Sequence, residues 1–386
     1  MPVRKAATIL VCAGCGAALL LAAWGMDAGW FERHVLLPCY YHPPSPGALR
    51  GVRAVFAAGG LLLIAVAWPL GRAAAHGTAA GAARIALAVV LALAASEWIL
   101  RLGGRGQPFW RRDKVEFNIG RVDPRYGWVL LPSRTTAFGA PPVRYAVDAW
   151  GDRARSDRGS PDPARPTIVV SGESDAAGHA IEYEQTFPAL LEGDLGLQVV
   201  NVAAGGYGTD QAFLRLDDAL ARLRRPVAAV TTFLPVMLQR NLQDYRPLLV
   251  LRGGALELVP PADGFFARLR LRDLLVNELP WLSESRLRES LQLTSAILRE
   301  TARRSRQHGA APLFVVPSVG PPRPFEAHRE AWILRELFVE PRLHFVLVDL
   351  PPDELVAGDG HPGPGGHRRL ADAIEAALPR PLVRAQ

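Results

Sequence analysis

Cysteine and lysine are nearly missing from this 386-residue chain. Its three cysteines, Cys12, Cys15 and Cys39, all precede residue 40, so the rest folds without a disulfide framework or a thiolate metal site. Cys12 and Cys15 form a C-x-x-C inside an uncharged apolar run, where thiols pack as small hydrophobes rather than serve redox or metal chemistry. Lysine occurs only at Lys5 and Lys114, against 42 arginines. Zinc-ligand spacings, a P-loop and a dinucleotide-binding βαβ fingerprint are missing as well, so neither a metal ion nor a cofactor is expected. Only 21% of residues are charged and 49% are hydrophobic, which excludes a disordered chain.

The net charge of +7 invites a nucleic-acid reading, but its distribution does not support one. Residues 1–165 hold 20 basic and 10 acidic side chains, whereas 166–386 hold 24 and 27. The basic excess therefore belongs to the first part, where it is placed to meet anionic lipid headgroups, and no nucleic-acid partner is expected. The arginines at 299–306 read as a solvated helix face.

What the first part has in abundance is uncharged sequence. Residues 6–26 follow Arg4 and Lys5 without a charge and are long enough, at about 1.5 Å per residue, to cross a bilayer core of about 30 Å. Residues 54–71, between Arg53 and Arg72, form a second run; Pro69 near its end is tolerated in a membrane helix. A third run, 82–100, includes Arg84, which is able to snorkel, and Glu97, one turn before Arg101 and placed to pair with it. A cleavable signal peptide explains a basic start and an apolar core, but not the runs that follow. Residues 1–104 are thus expected to be a membrane anchor of three helices, which places the chain ends on opposite sides. With the N-terminus inside, the loop arginines oppose export, but long translocated domains obey that rule poorly.

Residues 105–165 read as a connector, with strand-like pieces at 126–131 and 143–147 and an Arg-, Asp- and Pro-rich surface loop at 153–165. Over 166–380, apolar β-type runs (167–171, 198–202, 227–233, 312–316, 345–348) alternate with helical patterns (209–223, 284–307, 328–338, 366–377). This pattern predicts an α/β fold with a parallel sheet covered on both faces. In such sheets ligands bind beyond the carboxyl ends of strands. The segment 241–283 carries no readable motif.

Two loops carry chemistry. The run 167–178, T-I-V-V-S-G-E-S-D-A-A-G, presents Ser174 directly after a buried strand, where a base can reach its hydroxyl and backbone N–H groups can face an oxyanion. Ser and Gly also occur in such turns for backbone reasons alone. Late in the chain, Gly358-Asp359-Gly360-His361-Pro362-Gly363-Pro364-Gly365-Gly366-His367 supplies His361 as a base and Asp359 as its orienting carboxylate. His367 reads as a helix-start residue and His179 as a loop residue near enough in sequence to Ser174 to line the site.

Together these blocks resemble the SGNH (GDSL) hydrolase superfamily, and in particular its membrane-anchored bacterial members. Gly172-Glu173-Ser174 with Gly178 resembles the G-D-S block, and Glu184-Gln185-Thr186-Phe187-Pro188 the E-x-T-F-P that often follows it. Asn201 and Gly206 match the second block, Asp359, His361 and Gly366-His367 the last, and Asp123-Pro124-Arg125-Tyr126-Gly127-Trp128 the preceding connector. The chain departs from the family at three places. Glu173 replaces the Asp of G-D-S, and the usual D-x-x-H is shortened, with Gly358 at the acid's place and Asp353 as an alternative acid. At the third block Val236 or Met237 aligns with the oxyanion Asn, leaving Asn241, Gln239 or Arg240 to take over.

The resemblance implies a flavodoxin-like three-layer α/β/α fold with a five-stranded parallel sheet, and a membrane-anchored serine esterase of the bacterial inner membrane with its catalytic domain outside the cytoplasm. Ser174 is then the nucleophile, with His361 and Asp359 completing the triad; Ser174, Gly206 and Asn241 form the oxyanion hole. The implied substrate is an acylated glycan or lipid of the cell envelope. The alternatives are an acyltransferase using the same triad with a membrane protein partner, or a degenerate fold retained for glycan binding or assembly.

Overall fold

The structure is a computed structural model that describes residues 2–27, 29–30, 46–75, 79–102, 119–138, 142–278, 284–319 and 324–379; Cys39 and residues 105–118 of the connector lie outside these. The chain forms two compact units, Met1–Gln107 with Arg268–Trp281, and Pro108–Ala267 with Leu282–Gln386.

Among its described residues the first unit has three long helices, Pro2–Gly25, Pro46–Ala75 and Ala79–Leu102. Among the described residues, Lys5–Gly25 and Leu49–Arg72 are long and apolar enough to cross a membrane. Their outward side chains are apolar, Leu10, Leu21, Leu61 and Leu62 among them. The first two helices approach closely at Gly16 and Gly60, where a Cβ on either glycine would lie 2.7 Å from the other's carbonyl oxygen. Small residues that let backbones meet are how helices associate without a hydrophobic driving force. Cys12 and Cys15 are free thiols on the first helix, Cys15 exposed. Glu97 pairs with Arg101 at 2.7 Å, as the spacing predicts, and also accepts the N–H groups of Arg270 (3.0 Å) and Leu271 (2.9 Å). It thereby satisfies the open N-terminus of the short helix Arg270–Asp273. Sequence pattern alone left this segment inside the α/β domain.

In the second unit, β1 (Gly120–Asp123) and β2 (Gly127–Leu130) form an antiparallel hairpin. Next come β3 (Arg134–Phe138), β4 (Val143–Val147), β5 (Arg153–Ala154), β6 (Thr167–Ser171), β7 (Gln198–Asn201) and β8 (Pro226–Thr232). A second hairpin, β9 (Leu248–Arg252) with β10 (Ala255–Val259), precedes β11 (Ala311–Val319) and β12 (Phe345–Leu350). The main sheet runs β12-β11-β8-β6-β7-β5-β4-β3. Its first five strands are parallel, and counted along the chain their order is the 2-1-3-4-5 of a flavodoxin-like fold. The expected five-stranded parallel sheet is thus present, and β5, β4 and β3 of the connector extend it antiparallel to eight strands.

Alternation along β6 splits the core. Ile168 and Val170 face the layer of helices Phe187–Leu195 and Pro364–Ala377, packing with Phe187, Leu191, Leu370 and Ile374. Val169 faces the opposite layer, with Leu216 and Leu220 of the helix Thr209–Arg222. The surface loop expected from Arg153 starts differently. Arg153 is buried in β5, its guanidinium 3.7 Å from the Tyr145 ring centroid and bonded to the Ile181 carbonyl at 3.4 Å, because the sheet offers it carbonyls and π-faces in place of water.

Candidate active site

β6 is flanked by β7 on one side and β8 on the other, so the loops beyond its carboxyl end diverge and open a crevice. Gly172 begins that loop at φ +150°; a Cβ there would lie 1.9 Å from Thr232 Oγ1 of β8, so no other residue fits. The turn delivers Ser174 to the first position of the short helix Ser174–Ala177, where a backbone N–H has no intrahelical acceptor. Glu173 precedes it, buried, and its Oε2 accepts the Asp175 N–H (3.0 Å) and the Ser174 Oγ–H (2.6 Å). The longer carboxylate thus braces the turn and contacts the serine hydroxyl directly.

The late loop folds back onto this serine. Leu355 bridges Pro362, the Val356 N–H donates to the His361 carbonyl (2.8 Å), and Gly358 and Gly360 take left-handed φ of +75° and +86°. This tight turn is what makes the shortened D-x-H workable: Asp359 Oδ1 bonds His361 Nδ1 and also accepts the His361 backbone N–H at 3.3 Å. The ring's other nitrogen, Nε2, lies 2.9 Å from Ser174 Oγ. Ser174, His361 and Asp359 are therefore in one hydrogen-bonded chain, and Asp359 rather than Asp353 orients the imidazole. Burial pushes the Asp359 carboxyl up, but its bond to His361 and the charges of His361 and His179 outweigh that and hold it below its ordinary value.

His179 belongs to this cluster. Its own N–H is held by the Ser174 carbonyl (3.0 Å), its ring centroid lies 4.4 Å from that of His361, and its Nε2 lies 3.7 Å from Asp359 Oδ2. Burial and then the charge of His361 push its pKa down. Ligand atoms of His179, Asp359 and His361 lie within 4.8 Å of one another, a set able to hold a metal ion. His367, by contrast, is fully buried and structural: its Nδ1 accepts the Phe187 N–H at 3.0 Å, and burial, then His361, lower its pKa to about 3.

The expected oxyanion residues divide. Gly206 sits at φ +77° in a turn held by the connector, with Trp128 Nε1 donating to the Gly205 carbonyl (3.2 Å) and the Tyr207 hydroxyl donating to the Trp128 carbonyl (2.8 Å). Asn241, expected as the side-chain donor, is engaged in other bonds. Its Oδ1 accepts the Thr209 N–H (2.8 Å), capping the helix Thr209–Arg222, and its Nδ2 donates to Thr294 Oγ1 (2.8 Å). Val236 and Met237, the two candidates for the position of the resembled family's Asn, are both apolar.

Sequence reasoning missed two contributors, Trp128 and Asp175. Trp128 buttresses the Gly206 turn, and the aromatic in the connector motif was its only signal. Asp175 is buried beside Ser174; burial and then Glu173 push its carboxyl well up, while Arg240 pulls the other way. Arg240 in turn donates to the Tyr207 carbonyl at 3.1 Å, joining the Gly206 loop to the segment after β8.

No protein-family model and no curated protein matches the sequence. Among solved structures, the chain is similar to a member of the lipolytic protein G-D-S-L family from Veillonella parvula DSM 2008, at 10% identity over 54% of this chain and 95% of that one, TM-score 0.31. It is also similar to an acetyl xylan esterase from the rumen bacterium Butyrivibrio proteoclasticus, at 10% identity over 59% and 67%, TM-score 0.33. A family two carbohydrate esterase from Cellvibrio japonicus is 13% identical over 58% and 64%, TM-score 0.34. Likeness at this level carries no chemistry; the distances above do.

Proposed function

We propose that the chain is a membrane-anchored serine esterase of SGNH type, acting outside the cytoplasm on an acyl ester borne by a cell-envelope glycan or lipid. The observation that supports this reading is the 2.9 Å approach of His361 Nε2 to Ser174 Oγ with Asp359 on the opposite ring nitrogen. The hydroxyl has one proton and two acceptors, Glu173 and His361. Turning it toward His361 makes the serine a nucleophile. Its oxygen attacks the ester carbonyl as His361 takes the proton, and Asp359 stabilises the imidazolium. The N–H groups of Ser174 and Gly206 face the oxyanion. His361 then protonates the leaving alcohol, and water, deprotonated by the same imidazole, frees the acid and restores Ser174. With Asn241 occupied as a cap, the oxyanion hole relies on backbone donors, and a missing side-chain donor costs on the order of 10²–10³ in rate.

The test uses the full chain in detergent micelles with p-nitrophenyl acetate. Turnover by the wild type that vanishes in Ser174→Ala is expected; equal turnover by both would remove Ser174 from the reaction. The anchor is tested separately, by a reporter fused after Gln386. A cytoplasmic signal would overturn the exported topology.

A further inference from the structure

His179 has no task in ester hydrolysis as derived above, yet it is the most deliberately placed neighbour of the triad. Its backbone N–H is tied to the nucleophile's carbonyl and its ring lies against His361. Two imidazoles and one carboxylate are the ligand types that suit a zinc-like ion, with one tetrahedral position left for water. Zinc–ligand distances of about 2.0–2.1 Å put ligand atoms about 3.3 Å apart. His179 Nε2 and Asp359 Oδ2 are already 3.7 Å apart, and the whole set lies within 4.8 Å, so side-chain rotations suffice to close it. The three side chains are 20%, 33% and 28% exposed for His179, Asp359 and His361, which leaves an entry path.

We propose that His179, Asp359 and His361 form a zinc-type divalent metal site whose occupation switches the esterase off. The switch rests on the reading of His361 as the base; the binding does not. If the ion takes Nε2 of His361, no acceptor remains for the serine proton. If it takes Nδ1, the imidazole loses its bond to Asp359 and the ring turns away from Ser174. Either geometry removes the base, and chelation restores it.

The test titrates Zn²⁺ into chelator-treated full-length protein in micelles by calorimetry, with Co²⁺ absorption as a second readout of tetrahedral nitrogen and oxygen ligation. One site per chain is expected, weakened about tenfold or more in His179→Phe and in His361→Ala and unchanged in Ser174→Ala. Phe keeps the ring packing, so a fold defect is separable from a lost ligand. Turnover is expected to fall with Zn²⁺ in the wild type, to return with chelator, and to show a smaller ratio of loss in His179→Phe. Absent binding, or equal binding by wild type and His179→Phe, overturns the site; binding without inhibition overturns the switch. Intact zinc binding with no ester turnover in any condition strikes the esterase reading alone.

Discussion

Two polar clusters stand at the carboxyl edge of the same sheet and are built in opposite ways. Around Asp210, Arg246 donates two bonds to the carboxylate (2.6 and 3.0 Å), both side chains are sealed from solvent, and Asn241 closes the neighbouring helix end. Around Ser174, the side chains of His361 and Asp359 are partly exposed, and Asp359 keeps an oxygen turned toward His179. The first cluster pairs its two buried charges with each other, because a buried charge is tolerable only when paired. The second keeps capacity in reserve, which is what a reacting group requires. The polar residues that look most functional by burial are therefore the structural ones.

That contrast is open to attack from either side. Ser174→Ala is expected to cut ester turnover on the order of 10⁶-fold, with an unchanged unfolding midpoint. Asp359→Asn is expected to cost about 10⁴-fold, seen as lost kcat with a fold intact by circular dichroism. On the sealed side, Arg246→Met strands Asp210 and is expected to remove about 3–5 kcal/mol of stability in urea titration. Full stability with abolished turnover in that variant would reverse the two roles. Trp128→Phe removes the bond to Gly205 while keeping most of the packing, and turnover is expected to drop about tenfold at nearly constant KM.

A pH-dependent effect on stability concerns His367. Its folded pKa of about 3 lies below the ordinary 6.5, so between those values the unfolded chain binds the extra proton. Stability is present above about pH 6.5 and lost as pH falls toward 3, by up to about 1.4 kcal/mol per pH unit. In His367→Asn, whose Oδ1 is able to accept the Phe187 N–H, the acid limb of a melting-temperature profile is expected to flatten.

Much of this was legible in the chain. Strands β6, β7, β8, β11 and β12 follow apolar runs whose ends the turn residues mark, and Ser174, Asp359 and His361 sit on loops that sequence spacing assigns to one sheet edge. What local pattern does not carry is pairing over distance. Asn241 looks like a free polar residue until Thr209 and Thr294 close on it, and Arg153 looks solvated until Tyr145 and Ile181 surround it. The hairpin β9–β10 lies in the stretch without a readable motif, since its alternation is short and half exposed. Residues 268–281 were unreadable for a related reason, their partner being Glu97, far back in the chain.

The bonds from Glu97 to Arg270 and Leu271 bear on proteolytic release. Because 268–281 returns to the helical unit, the covalent path crosses between units three times, and one cleavage just after Gln107 does not separate them. A released fragment would have to pull this segment off its helix and break both bonds to Glu97. Separation of the two units by a single cut is thus disfavoured by the same carboxylate that closes a helix end.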